Sequence, residues 1–187
     1  NTMMAAVMIM GLAVVMWALF GYSLAFGGNH GGIIGDFRWF GLNGVGWDAG
    51  PYADSIPNLV FCGFQMMFAI ITPALITGAV VGRMRFKALF VFIALWSLIV
   101  YYPLAHMVWG QGGLLAELGS VDFAGGDVVH ISSGITALVL AIILGRRKGY
   151  ERMTYRIHNI PFVVLGATIL WFGWFGFNAG SSLKADG

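Results

Sequence analysis

The chain contains very little charge. Only 10% of its 187 residues are Asp, Glu, Lys or Arg, whereas 59% are hydrophobic and the mean hydropathy is +0.83. Soluble globular domains carry about 25% charged residues, so this composition excludes that class. The net charge of +2 is too small to indicate a nucleic-acid partner. The sequence therefore predicts an integral membrane protein.

Cysteine is almost absent as well. The single cysteine, Cys62, lies within an apolar run, which excludes an internal disulfide and a cysteine-rich metal centre. We expect this thiol to have a packing role.

Five long apolar runs are present, and each has about the 20 residues that a spanning helix needs. They are 3–26, 57–81, 88–109, 123–144 and 160–177. The segment between the first two runs is rich in Gly, aromatic residues and Asp, which is typical of a long folded loop at one surface. The sequence thus predicts an all-α integral membrane protein with five transmembrane helices.

The basic residues predict which connections face the cytoplasm. Eight of the ten Lys and Arg residues fall in two connections. They are Arg83, Arg85 and Lys87 after the second run, and Arg146, Arg147, Lys148, Arg152 and Arg156 after the fourth. By the positive-inside rule both connections are cytoplasmic, so the first helix runs outward.

The sequence begins almost inside an apolar run and ends just past one. It opens with "NTMMAAVMIMGLAVV", without an initiator Met, and closes with "FNAGSSLKADG" directly after the last run. We therefore expect an internal portion of a longer protein.

His130 lies about a third of the way into the fourth run. Ionisable side chains within spans are costly, and they usually face a protein interior or a water-filled cavity. A neutral imidazole there can pass a proton or hold a polar guest, because it offers one donor and one acceptor. The alternative is a packed histidine that hydrogen-bonds to a neighbouring carbonyl or serine.

Three further pairs of residues near the ends of the runs are candidates for packing, capping or binding. His106 and Trp109 share one helix face; the pair serves either as an interfacial anchor or, with the indole facing inward, as a site for a cation. Phe64 and Phe68 are four residues apart, which favours core packing. Asp122 and Asp127 precede the fourth run at capping distance, with attraction of a cation as the second interpretation.

Two motifs, "AHMVWGQGGLLAELGSVDFAGGDVVHISSG" and "LWFGWFGFNAGSS", closely resemble the ammonium transporter, methylammonium permease and Rhesus family, in its bacterial or archaeal transporter branch. The segments "FGYSLAFGG" and "FQMMFAIIT" extend the resemblance over nearly the whole chain. It implies an eleven-helix bundle of two inverted five-helix repeats plus a last helix, assembled as a homotrimer with one pore per subunit. The 187 residues would then form one partial domain, from the second family helix to the sixth, without the first helix and the C-terminal half.

The resemblance also implies roles for single residues. Trp109 resembles the indole of the outer vestibule that meets the ammonium cation, and Ser181 resembles the hydroxyl beside it. Phe68 and Phe177 resemble the two rings that close the floor of this vestibule.

Deeper in the bundle, His130 resembles the first of two histidines in the hydrophobic pore, and Asp122 resembles the buried carboxylate that holds the recruitment region together. Phe64 and His106 remain further candidates. The implied function is transport of ammonium or ammonia, with methylammonium as an analogue, through recruitment of the cation, its deprotonation and passage along the pore.

The remaining expectations concern partners and alternatives. The resemblance implies the cytoplasmic membrane, no cofactor, and in many members a PII-type regulatory protein at the cytoplasmic exit. The alternative is a non-conducting ammonium sensor with a fused signalling domain. An enzyme or electron carrier that uses His106 and His130 as metal or haem ligands is disfavoured, because they lie on different helices without a Cys/His cluster.

Overall fold

The structure, a computed structural model, describes residues 2–152 and 158–184. Arg156, one of the basic residues used above to predict orientation, lies outside the described residues. Among the described residues, five helices are long and apolar enough to cross a membrane, which confirms the predicted number. In chain order the helices are α1 (Thr2–Phe26), α2 (Asn58–Val80), α3 (86–109), the short α4 (Leu114–Glu117), α5 (Gly126–Leu144) and α6 (Ile160–Gly180).

Helix α2 occupies the centre of the bundle and packs against α1 and α5. The indole N–H of Trp17 on α1 donates to the carbonyl oxygen of Cys62 on α2 at 3.2 Å. Cys62 is buried, as its apolar surroundings predict. Helical structure continues through Pro73. In contrast, none of the residues of α6 is buried.

Three of the long helices contain a π-helical segment, in which one turn is wider than in an α-helix. These segments are Trp17–Gly21 in α1, Ser97–Tyr101 in α3 and Gly126–Ile131 at the start of α5. Such turns are rare and are frequent at functional sites. The third segment contains His130.

The segment 27–57 is a folded loop. Strands β1 (Ala49–Gly50) and β2 (Ala53–Pro57) pair in an antiparallel hairpin, and Phe40–Leu42 forms a 3₁₀ turn. Hydrogen bonds connect this loop to the residues after α3: the Asn29 side chain donates to the Gly112 carbonyl at 2.9 Å, and the Leu114 N–H donates to the Gly32 carbonyl at 2.9 Å.

The start of α5 differs from the sequence-based prediction. Phe123 was expected to begin this helix, but the helix begins at Gly126 and Phe123 is 61% exposed in the preceding turn. Gly125 has a φ of +95°, a left-handed conformation that interrupts helical structure and favours glycine. A Cβ atom at Gly125 would also lie 2.8 Å from Val129 Cγ2.

Candidate functional site: the outer aromatic cavity

A cavity of about 290 Å³ lies where the ends of α1 and α3 and the first turns of α2 meet the turn before α5 and the end of α6, on the side of the bundle that the basic residues predict to face outward. Five of the residues singled out from the sequence line it: Phe64, Phe68, Trp109, Asp122 and Ser181. Beside this cavity, Phe177 contacts Phe68, and His130 lies next to Phe177. We call this space the outer cavity.

Trp109 is held by a hydrogen bond from one side and by a ring contact from the other. Its Nε1–H donates to the backbone carbonyl of Asp122 at 2.9 Å, and its ring meets the ring of Phe68 edge-on, with centroids 5.5 Å apart and planes at 77°. The indole is half-buried and borders the outer cavity. Of the two interpretations of Trp109, this placement favours the one in which the indole faces a cavity.

Phe68, which lines the outer cavity, contacts the ring of Phe177 from another helix, and we call this pair of rings the floor. Phe68 on α2 and Phe177 on α6 have centroids 4.5 Å apart, and Phe68 is only 1% exposed. Phe64, one turn earlier on α2, contacts Phe68 edge-on at 5.1 Å. The stripe that periodicity assigns to core packing therefore also lines a cavity.

The carboxylate of Asp122 accepts hydrogen bonds from four backbone N–H groups. Oδ1 accepts from Gly125 and Gly126 at 2.6 and 2.8 Å, and Oδ2 accepts from Asp127 and Val128 at 2.8 and 2.9 Å. These donors are the free N–H groups at the start of α5, so Asp122 caps the helix and complements its dipole. Asp127 is instead bonded to the Ser120 hydroxyl, at 2.9 Å.

Ser181 follows the last residue of α6 and borders the outer cavity. Its hydroxyl donates to the carbonyl oxygen of Phe177 at 2.8 Å. A hydroxyl has one proton and two lone pairs. Because the proton is used within the helix, what the hydroxyl can offer to a guest is an acceptor.

His130 lies beside Phe177 of the floor, close to the aromatic residues of α6. Its ring centroid is 6.5 Å from that of Phe177 and 5.9 Å from that of Trp174. Within the described part of the chain, no group hydrogen-bonds to the imidazole, and the residue is exposed on the surface of this chain. The packed, hydrogen-bonded alternative is therefore not what the structure shows.

His106 lies away from the outer cavity although it shares a helix with Trp109. The ring is completely buried, with Nδ1 3.0 Å from the Ala25 carbonyl oxygen and Nε2 3.2 Å from Asn29 Oδ1. Both ring nitrogens are therefore engaged in joining α3 to the end of α1 and to the outer loop. This geometry favours a structural role and disfavours both interfacial anchoring and ligation of a metal or haem.

Two ionisable groups of the outer loop have shifted pKa values. Burial raises the pKa of the Tyr52 hydroxyl, and a hydrogen bond from the Gln111 N–H and the charge of Arg38 offset this only in part. Partial burial alone would also raise the pKa of Asp36. Hydrogen bonds from the N–H groups of Arg38 and Gly28, and the Arg38 guanidinium, nevertheless hold that pKa below its usual range.

Sequence reasoning missed several residues of the outer cavity. They are Phe26, Tyr52, Phe61, Gln65, Phe123 and Leu183. Phe61 and Gln65 lie on the same face of α2 as Phe64 and Phe68, so helical spacing contained the signal for both. Tyr52 and Phe123 lie in non-helical segments, where no periodicity exists to find them.

Comparisons with known proteins identify relatives of the chain. A sequence model of the family described as Ammonium Transporter Family matches residues 1–187. An ammonium transporter of Bacillus subtilis (strain 168) is 53% identical over 173 residues, which cover 92% of this chain and 42% of that protein. The chain thus spans less than half the length of this relative.

Solved structures give the same result for the fold. The crystal structure of Saccharomyces cerevisiae Mep2 matches with a TM-score of 0.86 and 40% identity, over 99% of this chain and 43% of that one. A structure described as a sensor Amt protein matches with a TM-score of 0.79 and 33% identity, over 98% of this chain and 46% of that one.

Proposed function

The chain belongs to the Ammonium Transporter Family, and on that premise we propose that the protein containing it moves ammonium or ammonia across the cytoplasmic membrane. The observation that carries the proposal is the outer cavity: aromatic rings and a hydroxyl acceptor, with an imidazole beside the floor. The Bacillus subtilis relative compared above is named as an ammonium transporter.

The outer cavity suits ammonium. The faces of Trp and Phe rings attract a cation, by about 0.5 to 2 kcal/mol according to how completely it is desolvated. Potassium is similar in size and charge, but it has no N–H groups, so a hydroxyl that accepts a hydrogen bond favours ammonium. Ser181 is placed for that role because its own proton is donated to Phe177.

Beyond the floor, the pore would accept an uncharged guest. Phe68 and Phe177 lie between the outer cavity and His130, and a bare charge is costly in such apolar surroundings. A cation that transfers its proton to the neutral imidazole of His130 can continue as ammonia. Once the ring has passed that proton on along a separate route, it is neutral again and can hydrogen-bond ammonia. Methylammonium would follow the same route as an analogue.

The assembly is part of the proposal. We propose that this chain supplies the second to sixth helices of an eleven-helix subunit, in a homotrimer with one pore per subunit. In support, α6 buries none of its residues although it is strongly apolar, so it needs further protein or lipid around it. The basic connections after α2 and α5 are the surface we propose for a PII-type regulatory protein.

The test of transport is uptake of methylammonium by the full-length protein in a host that lacks its own ammonium transporters. We expect the double variant Trp109→Ala with His130→Asp to lose most uptake. The control Trp47→Ala with His158→Ala changes the same residue types at exposed positions, and it should transport like the wild type. Undiminished uptake by the first variant would refute the assignment of these residues.

A second candidate function is ammonium sensing, which the similarity to the sensor Amt protein favours. A sensor would bind the cation in the same outer cavity without conducting it, and a fused signalling domain would respond. Ammonium binding by the purified full-length protein in the absence of uptake would identify a sensor.

A further inference from the structure

We propose that Gln65 is a second hydrogen-bond acceptor for the cation in the outer cavity, together with Ser181. This inference rests on the binding step of the proposed function and not on conduction. It assigns a specificity role to a residue on the wall of the cavity.

The first argument is that Gln65 has an unsatisfied carbonyl. The residue is only 7% exposed, and its Oε1 atom is buried with no hydrogen-bond partner among the described residues. A buried acceptor without a partner has lost its hydrogen bonds to water and gained none in return, which destabilises the fold. Proteins rarely keep such a group, and each one calls for an explanation.

The second argument is position. Gln65 lies on α2 between Phe64 and Phe68 and lines the same cavity as both. The last side-chain torsion of glutamine has a broad energy minimum. The amide can therefore turn its oxygen toward a guest without moving the helix.

The third argument comes from the other polar groups around the outer cavity. The carboxylate oxygens of Asp122 already accept four backbone N–H groups. The hydroxyl of Tyr52 donates to the Phe26 carbonyl at 2.8 Å and accepts from the Gln111 N–H at 3.2 Å. The indole of Trp109 offers only an N–H donor, and this N–H already donates to the backbone carbonyl of Asp122.

Two side chains of the outer cavity therefore keep acceptor capacity among the described residues: Ser181 and Gln65. Ammonium has four N–H groups, and a ring face satisfies at most part of them. Two acceptors on different helices, one on α2 and one at the end of α6, would hold two of the N–H groups in fixed directions. A cation without N–H groups, such as potassium, cannot donate hydrogen bonds to Ser181 and Gln65.

The test is the affinity of the purified full-length protein for ammonium, measured by isothermal titration calorimetry with ammonium chloride. Gln65→Met keeps the length of the side chain and removes both polar atoms. We expect its Kd to rise by about tenfold, the effect of losing a hydrogen bond to a charged group. The control is Gln111→Met, which changes the other glutamine of the chain. Gln111 is exposed, and its side chain donates to the Pro51 carbonyl at 2.9 Å. The Kd of this control variant should equal that of the wild type.

Thermal unfolding separates this role from a structural one. Because Oε1 of Gln65 has no partner, Gln65→Met should unfold at the same temperature as the wild type or at a higher one. Gln65→Glu keeps acceptor oxygens, and its negative charge when ionised attracts the cation, so this variant should bind ammonium at least as tightly as the wild type. Loss of affinity in Gln65→Glu as well would show that shape matters and not the acceptor.

The outcomes distinguish the two proposals. If the wild type binds ammonium and Gln65→Met binds it equally well, the role of Gln65 is refuted and the proposed function stands. If the wild type binds ammonium but does not take up methylammonium, transport is refuted and the Kd values still decide the role of Gln65. If the wild type does not bind ammonium at all, both proposals fall.

Discussion

The indole N–H of Trp109 donates to the backbone carbonyl of Asp122, at 2.9 Å, and the carboxylate of the same aspartate caps the helix that carries His130. One residue therefore fixes both the ring that borders the outer cavity and the start of the helix below it. The position of the indole and that of the imidazole are coupled through Asp122. The short turn at Asp122 therefore fixes the indole of Trp109 relative to the first turn of α5, which carries His130.

The first prediction concerns the stability that this turn provides. Asp122→Ala leaves four backbone N–H groups without their acceptor, and we expect a loss of about 2 kcal/mol in the free energy of unfolding, the upper end of the effect of a helix cap. Thermal unfolding of the full-length protein in detergent measures the change. Asp127→Ala is the control, because that side chain accepts one hydrogen bond, from the Ser120 hydroxyl, and it should cost less than about 1 kcal/mol. Equal losses in both variants would refute the capping role of Asp122.

The second prediction concerns the ring face at the outer cavity. Trp109→Leu removes the aromatic face but keeps an apolar side chain, and we expect the affinity for methylammonium to fall by roughly 2- to 30-fold, as the loss of a cation–π interaction predicts. Trp109→Phe keeps a ring and should lose less. Equilibrium binding of radiolabelled methylammonium gives both values. Trp47→Leu, at a residue that is 75% exposed in the outer loop, serves as the control, and a matching loss there would contradict a local effect.

Much of the architecture could be predicted from the sequence because the membrane imposes a simple rule on length and polarity. Apolar length alone predicted five spans, and the start of α6 at Ile160 agrees to the residue. The start of α5 was wrong by three residues, because Phe123 is apolar but precedes a left-handed glycine. Hydropathy does not detect a backbone conformation.

The candidate site was predictable where a helix repeats its spacing and unpredictable elsewhere. Phe64 and Phe68 could be placed on one face of α2 from their spacing. His106 was assigned to the same face as Trp109, but the structure engages its ring with Ala25 and Asn29. Those two residues are about 80 positions away in the chain, and no local pattern contains that contact.

The third prediction is a pH dependence in the outer loop. The pKa of Asp36 is held below its usual range by N–H groups and by the Arg38 guanidinium, so its ionised form stabilises the folded loop. This contribution is present above the usual carboxyl pKa of about 4, and it is lost as the pH falls through the lowered pKa of the folded state. The difference in Tm between wild type and Asp36→Asn should therefore be present at neutral pH and shrink toward zero in acid. A difference in Tm that stays constant from neutral to acid pH would refute the assignment to Asp36.

The fourth prediction uses a glycine to move a ring of the outer cavity. A Cβ atom at Gly180 would lie 2.8 Å from Cε2 and 3.2 Å from Cζ of Phe64, so Gly180→Ala forces the far edge of that ring to shift. Overpacking of this kind costs about 1 to 3 kcal/mol, and the preference of a helix for alanine over glycine, about 1 kcal/mol, offsets part of it. We therefore expect a net loss of stability of about 2 kcal/mol or less and a measurable fall in affinity for methylammonium, since Phe64 borders the outer cavity. Gly173→Ala is the matched control on the same helix, where an added Cβ meets no described atom within 4 Å, and it should bind like the wild type. A variant Gly180→Ala with unchanged affinity would show that the position of the Phe64 ring does not matter for the cation, and it would restrict the aromatic part of the site to Trp109 and the two rings of the floor.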